Sequence, residues 1–328
     1  MLSLILPSSK ESNDMKTIWL VIPCYNEEAV LPETTRQLKE IMNDLIAREK
    51  ISTDSRIALV NDGSKDHTWQ IIKQLHNEDE LFTGINLAHN RGHQNALLAG
   101  LMTAKEYADA AISLDADLQD DVAVIEKFID KYYEGCDIVY GVRSTRKTDT
   151  TFKRITAQGF YKFMKFMGVD IIEDHADYRL MSKVALQGLE KFKEVNLFLR
   201  GIVPMIGYKT DIVTYERHER FAGESKYPLK KMISFAVDGI TSLSVKPIRL
   251  ITSIGMILFA LSILMIAYFG IIYLTGHVVP GWTTIVISIW AIGGLELLAI
   301  GVVGEYIGKI YLESKERPRY IIWEFLNK

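Results

Sequence analysis

Hydrophobic and polar positions follow two regimes along this chain. Before about residue 228, short apolar runs alternate with longer stretches in which apolar residues recur at helical spacing; after it, two long apolar runs dominate. The first regime predicts strands at Thr17–Pro23, Arg56–Val60, Phe82–Leu87, Ala110–Leu114 and Asp137–Tyr140. Helices are predicted between them over Glu27–Glu49, from near Asp66, over Gly92–Tyr107 and over Asp121–Tyr133. Strands alternating with helices in this way give an α/β fold, a mostly parallel sheet with helices on both faces. Ligands bind such sheets beyond the carboxyl ends of the strands. The polar clusters Tyr25-Asn26-Glu27, Asn61-Asp62-Gly63-Ser64, Asn90-Arg91-Gly92-His93 and Asp115-Ala116-Asp117-Leu118-Gln119 fall at those ends.

The second regime reads as a membrane hairpin. Leu250–Leu274 holds no charged residue, and Trp282–Gly304 only Glu296. At ~1.5 Å rise per residue, either run exceeds a hydrocarbon core of ~30 Å. Two spans are therefore expected at about 250–274 and 282–306, within a membrane unit 249–308. Lys246 and Arg249 precede the first span, Lys309, Lys315, Arg317 and Arg319 follow the second, and the connecting Thr275–Gly281 has no Lys or Arg. This asymmetry predicts a multi-pass protein of the cell membrane with its N-terminal domain, residues 16–227, on the cytoplasmic side. Between Pro228 and Pro247, Leu229, Met232, Ile233, Ala236, Ile240 and Leu243 recur at helical spacing. Residues 228–248 thus read as an amphipathic helix at the membrane interface or, alternatively, as one packed on the first domain. Tyr311, Tyr320, Trp323 and Phe325 suit an interfacial tail over 309–328. Residues 1–15 read as a polar extension, too short in apolar core for a signal peptide. Gly293-Gly294, Gly301 and Gly304 permit close helix approach and fit a homo-oligomer.

Composition narrows the chemistry. Lys+Arg 38 against Asp+Glu 41 leaves a net charge of −3, so no global basic field recruits nucleic acid. The two cysteines, Cys24 and Cys136, fit a reducing compartment better than a disulfide scaffold. Neither G-x-G-x-x-G nor G-x-x-x-x-G-K-[ST] occurs, so phosphates would be held by side-chain cations or a metal. Asp115, Asp117 and Gln119 alternate, which in extended chain places three oxygen-bearing side chains on one face. Hard oxygen donors suit Mg²⁺ or Mn²⁺, although an isolated D-x-D also occurs in ordinary surface turns.

The motifs in combination are more specific. Ile22-Pro23-Cys24-Tyr25-Asn26-Glu27-Glu28, Asn61-Asp62-Gly63-Ser64, Asn90-x-Gly92-His93-Gln94-x-Ala96 and Asp115-x-Asp117-x-Gln119-Asp120 follow one another at strand ends. Asp177-Tyr178-Arg179-Leu180-Met181, Arg220-x-x-Gly223-x-Ser225-Lys226-Tyr227 and Arg317-Pro318-x-Tyr320 continue the pattern. The chain resembles the inverting family 2 glycosyltransferases of GT-A fold. Within them it resembles the polyprenyl-phosphate glycosyltransferases, the group of dolichol-phosphate mannose synthase and the bactoprenol glucosyltransferases. Asp121 stands where that family often has Pro, which touches a helix start more than the ligands.

The resemblance implies that Pro23, Tyr25, Glu27 and Asp62 line the base and ribose of a nucleotide-sugar donor. Asp115 would sit by the nucleotide, with Asp117 and Gln119 as metal ligands. Arg143, Arg220 and Lys226 are candidate cations for donor or acceptor phosphates; for Arg143 a surface ion pair reads equally well. Asp177 takes the place of the catalytic carboxylate and, because a lipid phosphate is already ionised, is expected to orient the acceptor or donor sugar, with Arg179 beside it. The function implied is transfer of a sugar, glucose favoured, from a UDP-sugar to undecaprenyl or another polyprenyl phosphate for cell-envelope glycans. UDP-GlcNAc, UDP-galactose and GDP-mannose are the alternative donors, and an inactive membrane-tethered nucleotide-binding scaffold the alternative of another class. A processive polysaccharide synthase would carry Q-x-x-R-W, which is absent.

Overall fold

A computed structural model describes residues 15–143, 159, 162–168, 175–216, 237, 239–274 and 281–327. The first half alternates as the patterning predicts: β1 (Ile18–Cys24), α1 (Leu31–Ala47), β2 (Arg56–Asn61), α2 (Thr68–Glu78), β3 (Phe82–Leu87), α3 (His93–Tyr107), β4 (Ala110–Ser113), α4 (Val124–Tyr133) and β5 (Ile138–Arg143). Then follow β6 (His175–Ser182), α5 (Lys183–Glu190), α6 (Leu199–Met205), β7 (Thr210–Tyr215), α7 (Lys246–Leu274), α8 (Trp282–Ser314) and β8 (Ile322–Leu326). Two boundaries move for identifiable reasons. Helix α1 starts at Leu31 rather than Glu27, because the Val30 and Leu31 N–H groups both close a turn on the Glu27 carbonyl. Strand β5 runs on to Arg143 rather than ending at Tyr140, because β7 pairs with it as far as Tyr215.

The eight strands form one sheet in the order β7-β5-β6-β4-β1-β2-β3-β8. β1 lies parallel to both β2 and β4, β2 to β3, and β5 to β7, whereas β6 and β8 run antiparallel to their neighbours. All seven residues of β1 are buried, as befits a central strand covered on both faces. Ile18, Leu20 and Ile22 pack with α1 and α4 side chains such as Leu38 and Phe128; Trp19 and Val21 pack with α3, α5 and α6 on the other face. The chain runs outward from β1 through β2 to β3, then crosses back to β4 on β1's other side. Strand order therefore reverses at β1 and β4, the place where sheets of this kind bind ligands beyond the carboxyl ends of the strands.

The C-terminal tail corrects an expectation. Residues 322–326 do not form part of an interfacial tail; they are β8, which pairs antiparallel with β3 from Gly84–Leu326 to Leu87–Ile322. Phe325 packs against Tyr107, whose ring stacks on Trp19, while Trp323 remains exposed. Short, non-local pairing of this kind leaves only a faint period-2 signal in sequence. Of the segment 228–248, residues 237 and 239–248 are described, and there Ile240 is buried against Met164 and Met167. That end of the segment faces protein. Arg220 and Lys226 lie outside the described residues.

Helices α7 and α8 span 29 and 33 residues. Over the described residues alone, no helix is long and apolar enough to cross a membrane; several side chains within both helices are not among them. Helix α8 outruns its expected end near residue 306, continuing to Ser314, where its last turns bind Val195 of the first domain and Ser242 of the segment before α7.

Candidate active site

The loops after β1 and β2 are stitched together by side chain to backbone hydrogen bonds. Asn26, in the left-handed region at φ 54°, donates its N–H to Ser64 Oγ at 3.0 Å and accepts the Lys65 N–H on Oδ1 at 2.9 Å. The Glu27 N–H donates to Thr68 Oγ1 at 2.9 Å. Pro23 lies within β1, in register with Val60 of β2, and Tyr25 is exposed at the rim. Asp62 is bound from the neighbouring loop. Its carboxylate is 2% exposed and accepts the Arg91 N–H at 2.7 Å and the Gly92 N–H at 2.9 Å. Asp62 thereby fastens the β3–α3 loop to the end of β2. Burial pushes its carboxyl above the ordinary value despite those two donors. Gly63 completes the stitch: its φ is +64°, and a Cβ there would stand 2.6 Å from the Asn90 nitrogen.

Beyond β4 the chain turns instead of extending. Leu118 has φ 53°, and the Gln119 N–H donates to Asp117 Oδ1 at 3.2 Å. The expectation that Asp115, Asp117 and Gln119 share one face of an extended segment is therefore corrected: the chain turns between Asp117 and Gln119. Thr34 Oγ1 holds this turn from α1 by donating to the Ala116 carbonyl at 2.7 Å. Asp120 is buried behind it, accepting Tyr215 Oη at 2.6 Å and Arg143 Nη2 at 3.4 Å. Arg143 thus forms an ion pair, its partner a buried carboxylate rather than a surface one.

Strand β6 brings the second carboxylate. Asp177 is 12% exposed and lies between two guanidinium groups: Arg179 Nη2 is 2.7 Å from its Oδ1, and Arg200 Nη2 is 3.2 Å from its Oδ2. Arg179 is 1% exposed, two residues along the same strand, and Arg200 comes from α6. His93, the first residue of α3, joins the two acidic elements: its Nε2 is 3.5 Å from Asp115 Oδ1 and 3.8 Å from Asp177 Oδ2. Burial alone would raise Asp177, but Arg200, Arg179 and His93 outweigh it and hold this carboxyl far below the usual range. Asp115 goes the other way. Burial pushes it up, and the charges of Asp120, Asp177 and Asp117 add to the push against the opposing pull of His93.

Arg200 was invisible to motif reading: Phe198-Leu199-Arg200-Gly201 carries no spacing signal, and only the fold brings it to Asp177. The contact between Gln94 Oε1 and the Leu199 N–H, at 2.9 Å, was equally hidden.

Among the described residues, no three His, Cys, Asp or Glu side chains form a ready-made metal cage. A hard divalent ion takes one or two carboxylates and completes its shell with substrate phosphates and water. The surplus negative charge felt at Asp115 is the feature that such an ion would neutralise.

The profile of the glycosyl transferase family 2 matches residues 19–189, from β1 through the end of α5. The chain belongs to the family 2 glycosyltransferases. This glycosyltransferase is 55% identical over 313 residues to the glycosyltransferase YkoT of Bacillus subtilis, covering 95% of this chain and 92% of that one. It is 41% identical over 307 residues to the bactoprenol glucosyl transferase of Shigella phage SfV, covering 93% and 97%. The prophage bactoprenol glucosyl transferase homolog of Escherichia coli is 40% identical over 310 residues, covering 93% and 98%. Among solved structures, mannosyl-3-phosphoglycerate synthase of Rubrobacter xylanophilus aligns with a TM-score of 0.46 at 15% identity, covering 68% of this chain and 71% of that one. That likeness is too distant to bear on the chemistry. The enzyme's relatives thus include both phage and bacterial proteins named for bactoprenol glucosylation.

Proposed function

We propose that this glycosyltransferase moves glucose from UDP-glucose to a polyprenyl phosphate at the cytoplasmic face of a membrane, inverting the anomeric carbon. The acceptor phosphate oxygen attacks C1 of the sugar, the bond from C1 to the UDP oxygen breaks, and its electron pair leaves on the diphosphate. One observation carries the reading. Asp177, where the family resemblance places the catalytic carboxylate, is clamped by Arg179 and Arg200 and held far below the ordinary carboxylate range. A carboxylate so stabilised is a poor proton acceptor, because a general base works best with its pKa near the working pH. Such a site suits a nucleophile that arrives ionised, as a phosphate does, better than a sugar hydroxyl. The names of the relatives add the glucosyl group and the bactoprenol acceptor.

Asp115 and the Asp117–Gln119 turn would hold Mg²⁺ or Mn²⁺ beside the donor, and such an ion would offset charge growing on the leaving diphosphate. The Asp62 and Gly63 stitch would set the loops that receive the nucleotide. Helices α7 and α8, at ~1.5 Å per residue, are each long enough to cross ~30 Å of hydrocarbon. The basic residues at the domain-facing ends support a hairpin that keeps this domain on the cytoplasmic side. Its purpose would be to bring the site to the depth of a lipid phosphate.

The test is a transfer assay with the full-length chain in liposomes, a panel of nucleotide-sugars, undecaprenyl phosphate, and Mg²⁺ or Mn²⁺. The expected product is a β-linked glucosyl lipid phosphate formed from UDP-glucose and lost on chelation. Preference for UDP-GlcNAc, UDP-galactose or GDP-mannose would reassign the donor, and transfer to unphosphorylated polyprenol would overturn the acceptor. Tight nucleotide-sugar binding without turnover on any acceptor would favour a scaffold.

A further inference from the structure

The segment Lys191–Phe198 joins α5 to α6, and its polar backbone is held from the far end of the chain. Glu313, in the last turn of α8, accepts the Val195 N–H on Oε2 and the Asn196 N–H on Oε1, each at 2.8 Å. Asn196 Nδ2 adds a third bond to Oε1 at 2.7 Å. Arg319, just past α8, donates Nη1 to the Phe192 carbonyl at 2.8 Å. Four residues after Asn196 stands Arg200, the guanidinium that reaches Asp177. From the other side, Gln94 beside His93 accepts the Leu199 N–H. The start of α6 is therefore pinned between α3 and the end of α8.

Glu313 is poorly placed for its own helix. A carboxylate in the last turn opposes the helix dipole, and no basic residue occupies that turn to offset it. Its three donors all lie outside α8. Burial pushes its carboxyl up, yet the Val195 and Asn196 N–H groups bring it below the ordinary value, so it is ionised when it grips the loop.

We propose that Glu313 is a positioning residue for sugar transfer: by holding the Val195–Asn196 backbone, it fixes the helix that aims Arg200 at Asp177. The inference deepens the function proposed above and rests on that reading of the site. It makes the end of α8 a structural part of the catalytic arrangement, though it is distant from it in sequence and touches no substrate.

The experiment uses the full-length chain in nanodiscs, with Glu313→Ala, Glu313→Gln, Arg200→Ala and the double variant Glu313→Ala/Arg200→Ala. Hydrogen–deuterium exchange is read over residues 195–205, with β1–β4 peptides as a control for folding. For Glu313→Ala we expect faster exchange across 195–205 with β1–β4 unchanged. We also expect kcat roughly 10–100-fold lower, the order of loss from a small misplacement of a reacting group, with the KM for UDP-glucose within about twofold. Glu313→Gln retains one acceptor oxygen and should fall between wild type and alanine. The double variant should be no slower than Arg200→Ala alone, because both losses pass through one guanidinium. Exchange over 195–205 that matches wild type, multiplicative losses in the double variant, or a loss confined to KM would each overturn the proposal. If the wild-type chain transfers nothing to undecaprenyl phosphate, the proposed function falls by itself, while exchange still decides whether Glu313 holds α6.

Discussion

Arg200 reaches Asp177 from α6 with both Nη2 and Nε, at 3.2 Å from Oδ2 and 3.4 Å from Oδ1, so one guanidinium spans both carboxylate oxygens. Arg179 holds the same carboxylate from its own strand. Two cations on one largely buried anion fix its orientation and remove its basicity, which is the combination that positioning requires and proton abstraction does not.

Replacing Arg200 with Ala should therefore lower kcat by roughly 100-fold and leave UDP binding, measured by calorimetry, close to wild type. The sign of its pH effect follows from charge. With Arg200 gone, burial still raises Asp177 while one opposing cation is missing, so the pKa of Asp177 rises. The acid limb of the pH–rate profile should move to higher pH. An unmoved limb would show that Asp177 does not govern it.

Gly63→Ala should damage the donor side. The new methyl would force a residue at φ +64° and bring a carbon to 2.6 Å from the Asn90 nitrogen. A cost of about 1–3 kcal/mol is expected from strain alone. Thermal unfolding should show it, and UDP affinity should fall with it because the β2 and β3 loops share this contact.

Acid stability offers a separate check on α4. Glu126 accepts hydrogen bonds from Arg48 and Lys50, which lower its carboxyl from 4.5 to about 2. A carboxyl whose folded pKa is depressed stabilises the fold above its unfolded value and loses that contribution as pH falls. Glu126→Gln should thus flatten the stability curve between about pH 4.5 and 2 relative to wild type. Because these side chains are partly exposed, added salt should shrink the difference.

The returning strand can be tested by Phe325→Ala. Phe325 covers Tyr107 and packs against the face of the sheet that holds Trp19. Partial burial places the expected loss at roughly 2–3 kcal/mol, below the range for a fully buried phenylalanine. An unchanged melting temperature would contradict its place in the sheet.

Much of the fold was legible because β1 to β5 and their helices are near neighbours in sequence, and a strand such as Ile18–Cys24, buried on both faces, announces itself as an apolar run. The strand-end clusters told where chemistry belongs. What sequence could not tell was how two of them are used. Nothing in the Asn61-Asp62-Gly63-Ser64 cluster shows that the Asp62 carboxylate also accepts the Arg91 and Gly92 N–H groups of the next loop. The alternation of Asp115, Asp117 and Gln119 implied an extended segment, yet Leu118 turns left-handed and breaks the period. Arg200 and Glu313 carry no motif, and β8 pairs with residues more than two hundred positions earlier, a separation at which pattern reading has no purchase.

β8 also imposes an order of assembly. The outer rim of β3 is capped by residues 322–326, and these leave the ribosome only after both long helices have been made. Until then β3 presents its free hydrogen-bonding groups to any passing strand. A nascent chain halted between α8 and β8 would have nearly the whole sheet but an open seam, prone to pairing with other copies, so delay after α8 would be a route to aggregation.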